Sequence, residues 1–221
     1  MIFKSALTGV ALLLLGTSAV AVEVEKPKQL LAMTPQDFRQ AVSVDEDPLE
    51  FVATLSTEPA FRNGKGLAKV VWNDAHLRAV VDKRTGVIRY EVQQVLRHQH
   101  GDRNYVQVNY LTPKGLRTAT PVVSDIHNNS CDHFEGGRSC VVFRKMSFEV
   151  AEQDIRDMAA TYAPGNHGNF AFRFKDVAGE HHTNKLVTAE VVGLVQAVDH
   201  YKSTAGLKAA SSTELASADP S

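Results

Sequence analysis

The chain has 221 residues and carries 24 Lys and Arg against 25 Asp and Glu, so its formal net charge is −1. This balance gives no reason to expect nucleic acid or an anionic membrane as the partner. About 200 residues follow the N-terminal leader described next, and that is enough for one ordinary domain with its own hydrophobic core.

The first 21 residues have the pattern of a secretory signal peptide. Lys4 is the single charge, an apolar run extends from Ala6 to Leu15, and Ala19-Val20-Ala21 is the small-residue pattern that a signal peptidase cuts. A retained anchor is the alternative, but the run is too short and wrongly flanked for a membrane helix. We therefore expect a mature chain from about Val22, periplasmic or secreted, with no integral membrane segment. Residues 22–202 are predicted to form a single globular domain.

The first predicted helix begins in the segment TPQD, residues 34–37. Its threonine can cap the helix, its proline fits the first turn, and its aspartate suits the positive end of the helix dipole. The acidic segment 45–48, which ends in proline, is predicted to terminate the helix. Residues 51–55 are then predicted to be a strand, and residues 67–72 are predicted to be extended.

From residue 76 the pattern becomes clearly that of β-strands. Apolar and polar side chains alternate over 76–81 and again over 88–97, and the segment DKRTG at 82–86 predicts the hairpin loop between them. A return strand at 106–110 and a strand at 141–150 follow. Hairpin-joined strands are typical of antiparallel sheets.

Two more helices are predicted towards the end of the chain. Apolar residues recur at helical spacing over 151–162, and a last helix with Thr188 as its cap carries an apolar stripe up to Tyr201. Between them, Phe170, Phe172 and Phe174 predict a strand with an aromatic inner face. The fold expected is α+β, a mostly antiparallel or sandwich-like domain with about three short helices. Residues 203–221 are small and polar, and are predicted to be a disordered tail.

The two cysteines of the chain lie in the segment SCDHFEGGRSC, at Cys131 and Cys140. An oxidising compartment favours a disulfide between them, and the two glycines supply a turn that lets both arms fold back as a hairpin. Zinc bound by the cysteines with His127 and His133 is one alternative, but this spacing matches none of the usual zinc patterns. A redox centre would more often show C-x-x-C. We predict a structural disulfide that contributes about 2.5–3 kcal/mol through loop closure.

A family resemblance is carried by the segment from Ala79 to Val92, which has the pattern A-x-x-D-K-x-T-G-x-x-x-Y-x-V. In this pattern the chain resembles a group of poorly characterised bacterial exported proteins and lipoproteins. It is similar to them also in the order of its strands, cysteine pair and helices, over Val71 to about Tyr201. It departs from them in lacking a lipid-attachment cysteine and a tryptophan near residues 103–105. The resemblance implies an exported location and this type of fold, and it implies no activity.

The chain has nine histidines, and four of them are candidate metal ligands. His98 and His100 alternate at the end of a strand, a spacing that can present two imidazoles to one metal ion. His181 and His182 lie in another turn, and could complete the site with a carboxylate such as Asp102. The alternative is that His98 and His100 are half-buried and bond to backbone, and that at most one of the other two faces any ligand.

Motifs typical of enzymes do not occur in the sequence. It contains no G-x-S-x-G, H-E-x-x-H, G-x-x-x-x-G-K-[ST] or G-x-G-x-x-G, and we predict no catalytic residue and no cofactor. The leading hypothesis is an exported, non-catalytic binding or structural module that recognises an envelope protein or another ligand. The alternatives are a periplasmic metal-binding protein that uses the histidines, and an enzyme whose site is assembled only by the fold.

Overall fold

The computed structural model describes residues 28–63, 75–99, 103–134, 137–165 and 168–207. The strands within these ranges are β1 (Ser43–Glu46), β2 (Val52–Ser56), β3 (Ala75–Asp82), β4 (Ile88–Gln99), β5 (Tyr105–Thr112), β6 (Gly115–Ala119), β7 (Val122–Phe134), β8 (Gly137–Val150), β9 (Asn169–Asp176) and β10 (His182–Val187). The helices are α1 (Lys28–Ala32), α2 (Pro35–Ala41), α3 (Glu58–Asn63), α4 (Glu152–Ala160) and α5 (Thr188–Thr204). The predicted leader, the predicted extended segment 67–72 and residues 208–221 of the predicted tail lie outside the described residues.

The strands form two antiparallel sheets. The larger has the order β1-β2-β3-β4-β8-β7, and the smaller has the order β10-β9-β5-β6. The predicted α+β architecture with mostly antiparallel strands is therefore confirmed. The predicted helices correspond to α2, α4 and α5, while α1 and α3 are two short helices that the sequence analysis did not identify. In the described part of the chain, every helix is too short or too polar to cross a bilayer.

The loop between β3 and β4 shows why this hairpin could be predicted. The Asp82 carboxylate accepts hydrogen bonds from the backbone N–H groups of Arg84 (2.8 Å) and Thr85 (3.1 Å). Gly86 has a φ of 69°, a conformation that residues with a side chain rarely adopt. An aspartate at the start of the loop and a glycine at its end therefore fix the turn, and with it the register of the two strands.

Helix α2 begins with the predicted cap. The Thr34 hydroxyl accepts a hydrogen bond from the backbone N–H of Asp37 (3.3 Å), and the Asp37 carboxylate accepts one from the backbone N–H of Thr34 (2.8 Å). This reciprocal pair satisfies two donors that the first turn of a helix leaves open. The carboxylate also accepts a hydrogen bond from the Thr34 hydroxyl (2.7 Å), and the two bonds that it accepts lower the pKa of Asp37, because they favour its charged form.

Three local predictions were wrong. Thr188 does not cap α5: it is the first helical residue, and Val187 precedes it without a side-chain cap. The helix also runs through Thr204, two residues into the segment predicted to be a tail. The segment 45–48 does not simply end a helix, because residues 43–46 form β1, whose four residues are all exposed on the edge of the larger sheet. An edge strand of this kind has no buried face, and therefore no alternation to reveal it.

The inner faces of the two sheets and helices α4 and α5 enclose the main hydrophobic cluster. The predicted aromatic face of β9 is confirmed, because Phe170, Phe172 and Phe174 are all buried there. Their ring centroids lie 5.4–6.5 Å from that of Phe148 on β8, within the range of favourable aromatic contact. These contacts hold the smaller sheet against the larger one.

Candidate functional site

The structure describes the side chains of only some of the predicted metal ligands. His98 lies on β4, where its Cα is paired with Val142 of β8, and His182 begins β10 opposite Phe174. The side chain of His98, together with His100 and Asp102, lies outside what the structure describes. Among the described residues, no group of three or more histidines, cysteines and carboxylates is arranged to hold a metal ion. The four-histidine site therefore stays a prediction.

His181 has a structural role in the turn before β10. Its Nδ1 accepts a hydrogen bond from the backbone N–H of Asp176 (3.2 Å), so this nitrogen is already occupied. The Asp176 carboxylate in turn accepts bonds from the backbone N–H groups of Asn104 (2.7 Å) and Ala178 (2.6 Å). These bonds fasten two loops to each other at one end of the smaller sheet. Only Nε2 of His181 is left as a possible metal ligand.

The backbone of β7 and β8 pairs Cys131 directly with Cys140. Asp132 is paired with Ser139 next along the hairpin, and Phe134 is paired with Gly137. Residues directly opposite each other on antiparallel strands have Cα atoms about 4.5–5.5 Å apart. This separation lies within the range that a disulfide requires. The disulfide is a prediction compatible with this register.

The structure also contains a site that the sequence analysis did not predict, a polar hollow of about 200 Å³ on the outward face of the larger sheet. We call it the polar trough. Its lining combines three hydroxyl groups, two carboxylates, two cationic groups, one imidazole and one amide, and it contains no apolar residue. The lining residues are Ser43, Asp45, Thr54, Ser56, Glu58, His76, Arg78, Gln93 and Lys145.

The strand register explains why these residues meet. Ser43 of β1, Ser56 of β2 and Arg78 of β3 are successive Cα partners, so they form one row across the sheet. His76 and Gln93 are partners in the next row, and both are buried, with 7% and 2% of their surface exposed. Polar side chains thus form both the walls and the floor of the trough.

An ion-pair network fixes the floor of the trough. The Glu91 carboxylate accepts hydrogen bonds from Arg78 (2.5 Å to Nη2), Arg89 (2.9 Å) and the side-chain amide of Gln93 (2.8 Å). Burial raises the pKa of Glu91, but the bonds from the two arginines outweigh burial and lower it below its ordinary value. Glu91 is therefore charged at neutral pH, and it orients Arg78 and Gln93 towards the trough.

A second buried carboxylate supports the trough from the core side. Glu190, in the first turn of α5, has no exposed surface, and its Oε1 accepts hydrogen bonds from the Thr57 hydroxyl (2.6 Å) and the backbone N–H of Leu77 (3.1 Å). Thr57 immediately precedes Glu58, and Leu77 immediately follows His76. This link joins α5 to β3 and to the residue between β2 and α3, and it therefore fixes the backbone that carries two of the lining residues.

Two further hollows, of about 220 and 200 Å³, have linings without charged residues. The first lies among β5, β9 and the helices α4 and α5, and the second lies beside α1. Neither brings titratable acids, bases or cations together. Among the three hollows, the polar trough is therefore the one whose chemistry fits specific recognition of a polar molecule.

The sequence contained part of the signal for this site. Polar residues alternate with apolar ones along β3 and β4, which predicts a polar outer face for both strands. The trough itself could not be predicted, because it depends on the register of five strands and on the start of α3. Comparison of the chain with known protein families, characterised proteins and solved structures finds no match.

Proposed function

We propose that the protein is an exported, non-catalytic binding module whose ligand occupies the polar trough. The observation that carries this proposal is the presence of buried His76 and Gln93 in the floor of a hollow lined entirely by polar groups. A preformed set of donors and acceptors in a concave site is what specific recognition of a polar molecule requires.

The lining indicates the chemistry of the ligand. Carboxylates at Asp45 and Glu58 lie on the side of β1, β2 and α3, whereas Lys145 lies on β8, three strands away from β2. Since neighbouring strands are about 4.8 Å apart, the backbones of β2 and β8 are separated by roughly 14 Å, and side chains from the strands at both ends line the same hollow. A short peptide or another small polar molecule that carries both charges and hydrogen-bonding groups fits this lining.

The test compares two outward positions on β2. Thr54 lies in the trough and Val52 lies outside it on the same face of the strand. Amino acids, short peptides and sugars are screened by thermal shift, and hits are measured by calorimetry. We expect Thr54→Leu, which fills the trough, to lower the affinity at least tenfold, and we expect Val52→Leu to leave it unchanged. A screen without any hit, or equal affinity in both variants, would contradict the proposal.

Catalysis in the trough is the second candidate function, and the observation that favours it is the imidazole of His76 beside acidic and basic groups. The two functions differ in what happens to the bound molecule. Mass spectrometry of a hit after long incubation with the protein would show an unchanged ligand if the protein is a binding module. A product that disappears in His76→Gln would instead establish an enzyme.

The proposed export has an independent test. The predicted cleavage after Ala21 gives a mature protein that begins at Val22. We expect N-terminal sequencing of the protein from the periplasm or medium of a bacterial host to give VEVEKP. Full-length protein that remains in the cytosol would contradict this part of the proposal.

A further inference from the structure

The outward face of the smaller sheet differs in charge from the rest of the molecule. Its outward positions on β5, β6, β9 and β10 alternate with buried ones, and none of them is occupied by aspartate or glutamate. Three of them are cationic: Arg173 and Lys175 on β9 and Lys185 on β10. We call this surface the basic face. The near-zero net charge of the whole chain conceals this local excess.

The register places the three cations close together. Arg173 and Lys175 are two residues apart on one strand, which corresponds to about 7 Å, and Lys185 is the Cα partner of Ala171 on that strand. The Arg173 guanidinium donates a hydrogen bond to the Thr183 hydroxyl (2.9 Å), a neutral partner that orients the group without cancelling its charge. The basic face therefore presents a compact positive patch.

The same face carries exposed apolar side chains. Leu111 and Leu116 are Cα partners on β5 and β6, and 54% and 66% of their surfaces are exposed. More than half of each side chain is therefore open to solvent, and the register places both on the face that carries the cations. Cationic and apolar groups together on one surface are the combination by which proteins bind the headgroup region of anionic membranes.

We propose that the basic face binds the surface of an anionic lipid bilayer, with Arg173, Lys175 and Lys185 against phosphate groups and Leu111 and Leu116 entering the headgroup region. A soluble polyanion would match the cations but would leave the two leucines in water, so the bilayer surface fits the whole face better. The cations lie on adjacent strands, so one patch of anionic headgroups can contact all three. This proposal does not depend on the polar trough or on its ligand.

The test is sedimentation with vesicles of pure phosphatidylcholine and of an equimolar mixture of phosphatidylcholine and phosphatidylglycerol. We expect binding to the mixed vesicles only, weakened by salt. The triple variant Arg173→Gln, Lys175→Gln, Lys185→Gln should lower the partition coefficient on the order of 100-fold, and Lys175→Gln alone should lower it about fivefold. Leu111→Ser with Leu116→Ser should also weaken binding.

The matched control removes three positive charges from other surfaces, through Arg39→Gln, Arg84→Gln and Lys202→Gln, and it should bind mixed vesicles within about twofold of the unsubstituted protein. Three results would overturn the proposal. They are equal sedimentation with both kinds of vesicle or with neither, equal loss of binding in the control variant, and binding to soluble polyglutamate or heparin without binding to vesicles.

Discussion

Gly193 lies in α5 where this helix crosses α2, and the position leaves no room for a side chain. A Cβ atom there would lie 2.6 Å from the Cβ of Phe38 and 2.8 Å from the carbonyl oxygen of Pro35. In an exposed helix, Gly→Ala stabilises by about 1 kcal/mol. Here α2 would have to move, so we expect Gly193→Ala to lower the free energy of unfolding by about 1–3 kcal/mol, as measured by urea denaturation.

Gln196, exposed on the same helix, provides the control for this substitution. Gln196→Ala should change the free energy of unfolding by less than about 0.5 kcal/mol. If Gly193→Ala were instead as stable as the unsubstituted protein or more so, the close approach of α2 and α5 would be wrong.

Glu91 should make the stability of the protein depend on pH. Its folded-state pKa is lowered relative to the ordinary value of 4.5, so its stabilising contribution is present above that pH and is lost as the pH falls through the folded pKa. We expect Glu91→Gln to lower the free energy of unfolding by about 1–2 kcal/mol at neutral pH. The difference between variant and unsubstituted protein should shrink as the pH falls below 4.5.

Urea denaturation at neutral pH and at successive acidic pH values measures this difference. Glu50→Gln, at an exposed position on the loop before β2, is the control and should follow the unsubstituted protein throughout. A stability difference for Glu91→Gln that stays constant or grows on acidification would mean that the ion-pair network does not stabilise the folded state.

At the scale of the elements, the hairpin of β7 and β8 extends past Gln99, the last described residue of the neighbouring strand β4. The last pair that β8 forms with β4 joins Val141 to Gln99, whereas β7 and β8 remain paired out to Phe134 and Gly137. Among the residues that the structure describes, the hairpin therefore has two strands only beyond Val141. Two-stranded hairpins are marginal in water, which explains why a cross-strand disulfide at Cys131 and Cys140 would matter there.

The disulfide can be tested by intact mass after alkylation under denaturing conditions. We expect unreduced protein to take up no alkyl group and reduced protein to take up two, since both cysteines of the chain would be bonded to each other. Uptake of two groups without reduction would refute the bond. We further expect that replacing both cysteines by serine lets proteases cut between residues 130 and 141 while the rest of the sheet stays resistant.

The elements that could be predicted are those whose turn and cap residues act locally. The Asp82 and Gly86 loop and the Thr34 cap are examples, because each is fixed by neighbours in sequence. The sequence predicts a turn at His182, where the structure has the first residue of β10, because the inward position 184 carries a polar residue that interrupts the alternation. Asn184 is satisfied by Gln94 across the interface between the sheets (2.8 Å), a contact that only the tertiary structure provides.

At the scale of the whole molecule, two different surfaces face outward on opposite sides of one core. The two sheets pack their apolar faces against each other, so their other faces are exposed to solvent. The polar trough lies on the exposed face of the larger sheet, and the basic face is the exposed face of the smaller sheet. Sequence alternation alone predicts that each sheet has a polar outer face. Alternation does not show which strands are neighbours. The order of the strands in each sheet determines which charged residues lie on the same surface.

Because the two surfaces are separated by the hydrophobic core, we expect them to act independently. Thr54→Leu should abolish binding of a trough ligand and leave sedimentation with anionic vesicles unchanged, while the triple variant of the basic face should do the reverse. Calorimetry with a ligand found by thermal shift and vesicle sedimentation measure the two effects on the same preparations. Loss of both activities in either variant, with the fold intact by circular dichroism, would mean that the trough and the basic face are coupled, because independent sites on a rigid core have no coupling free energy.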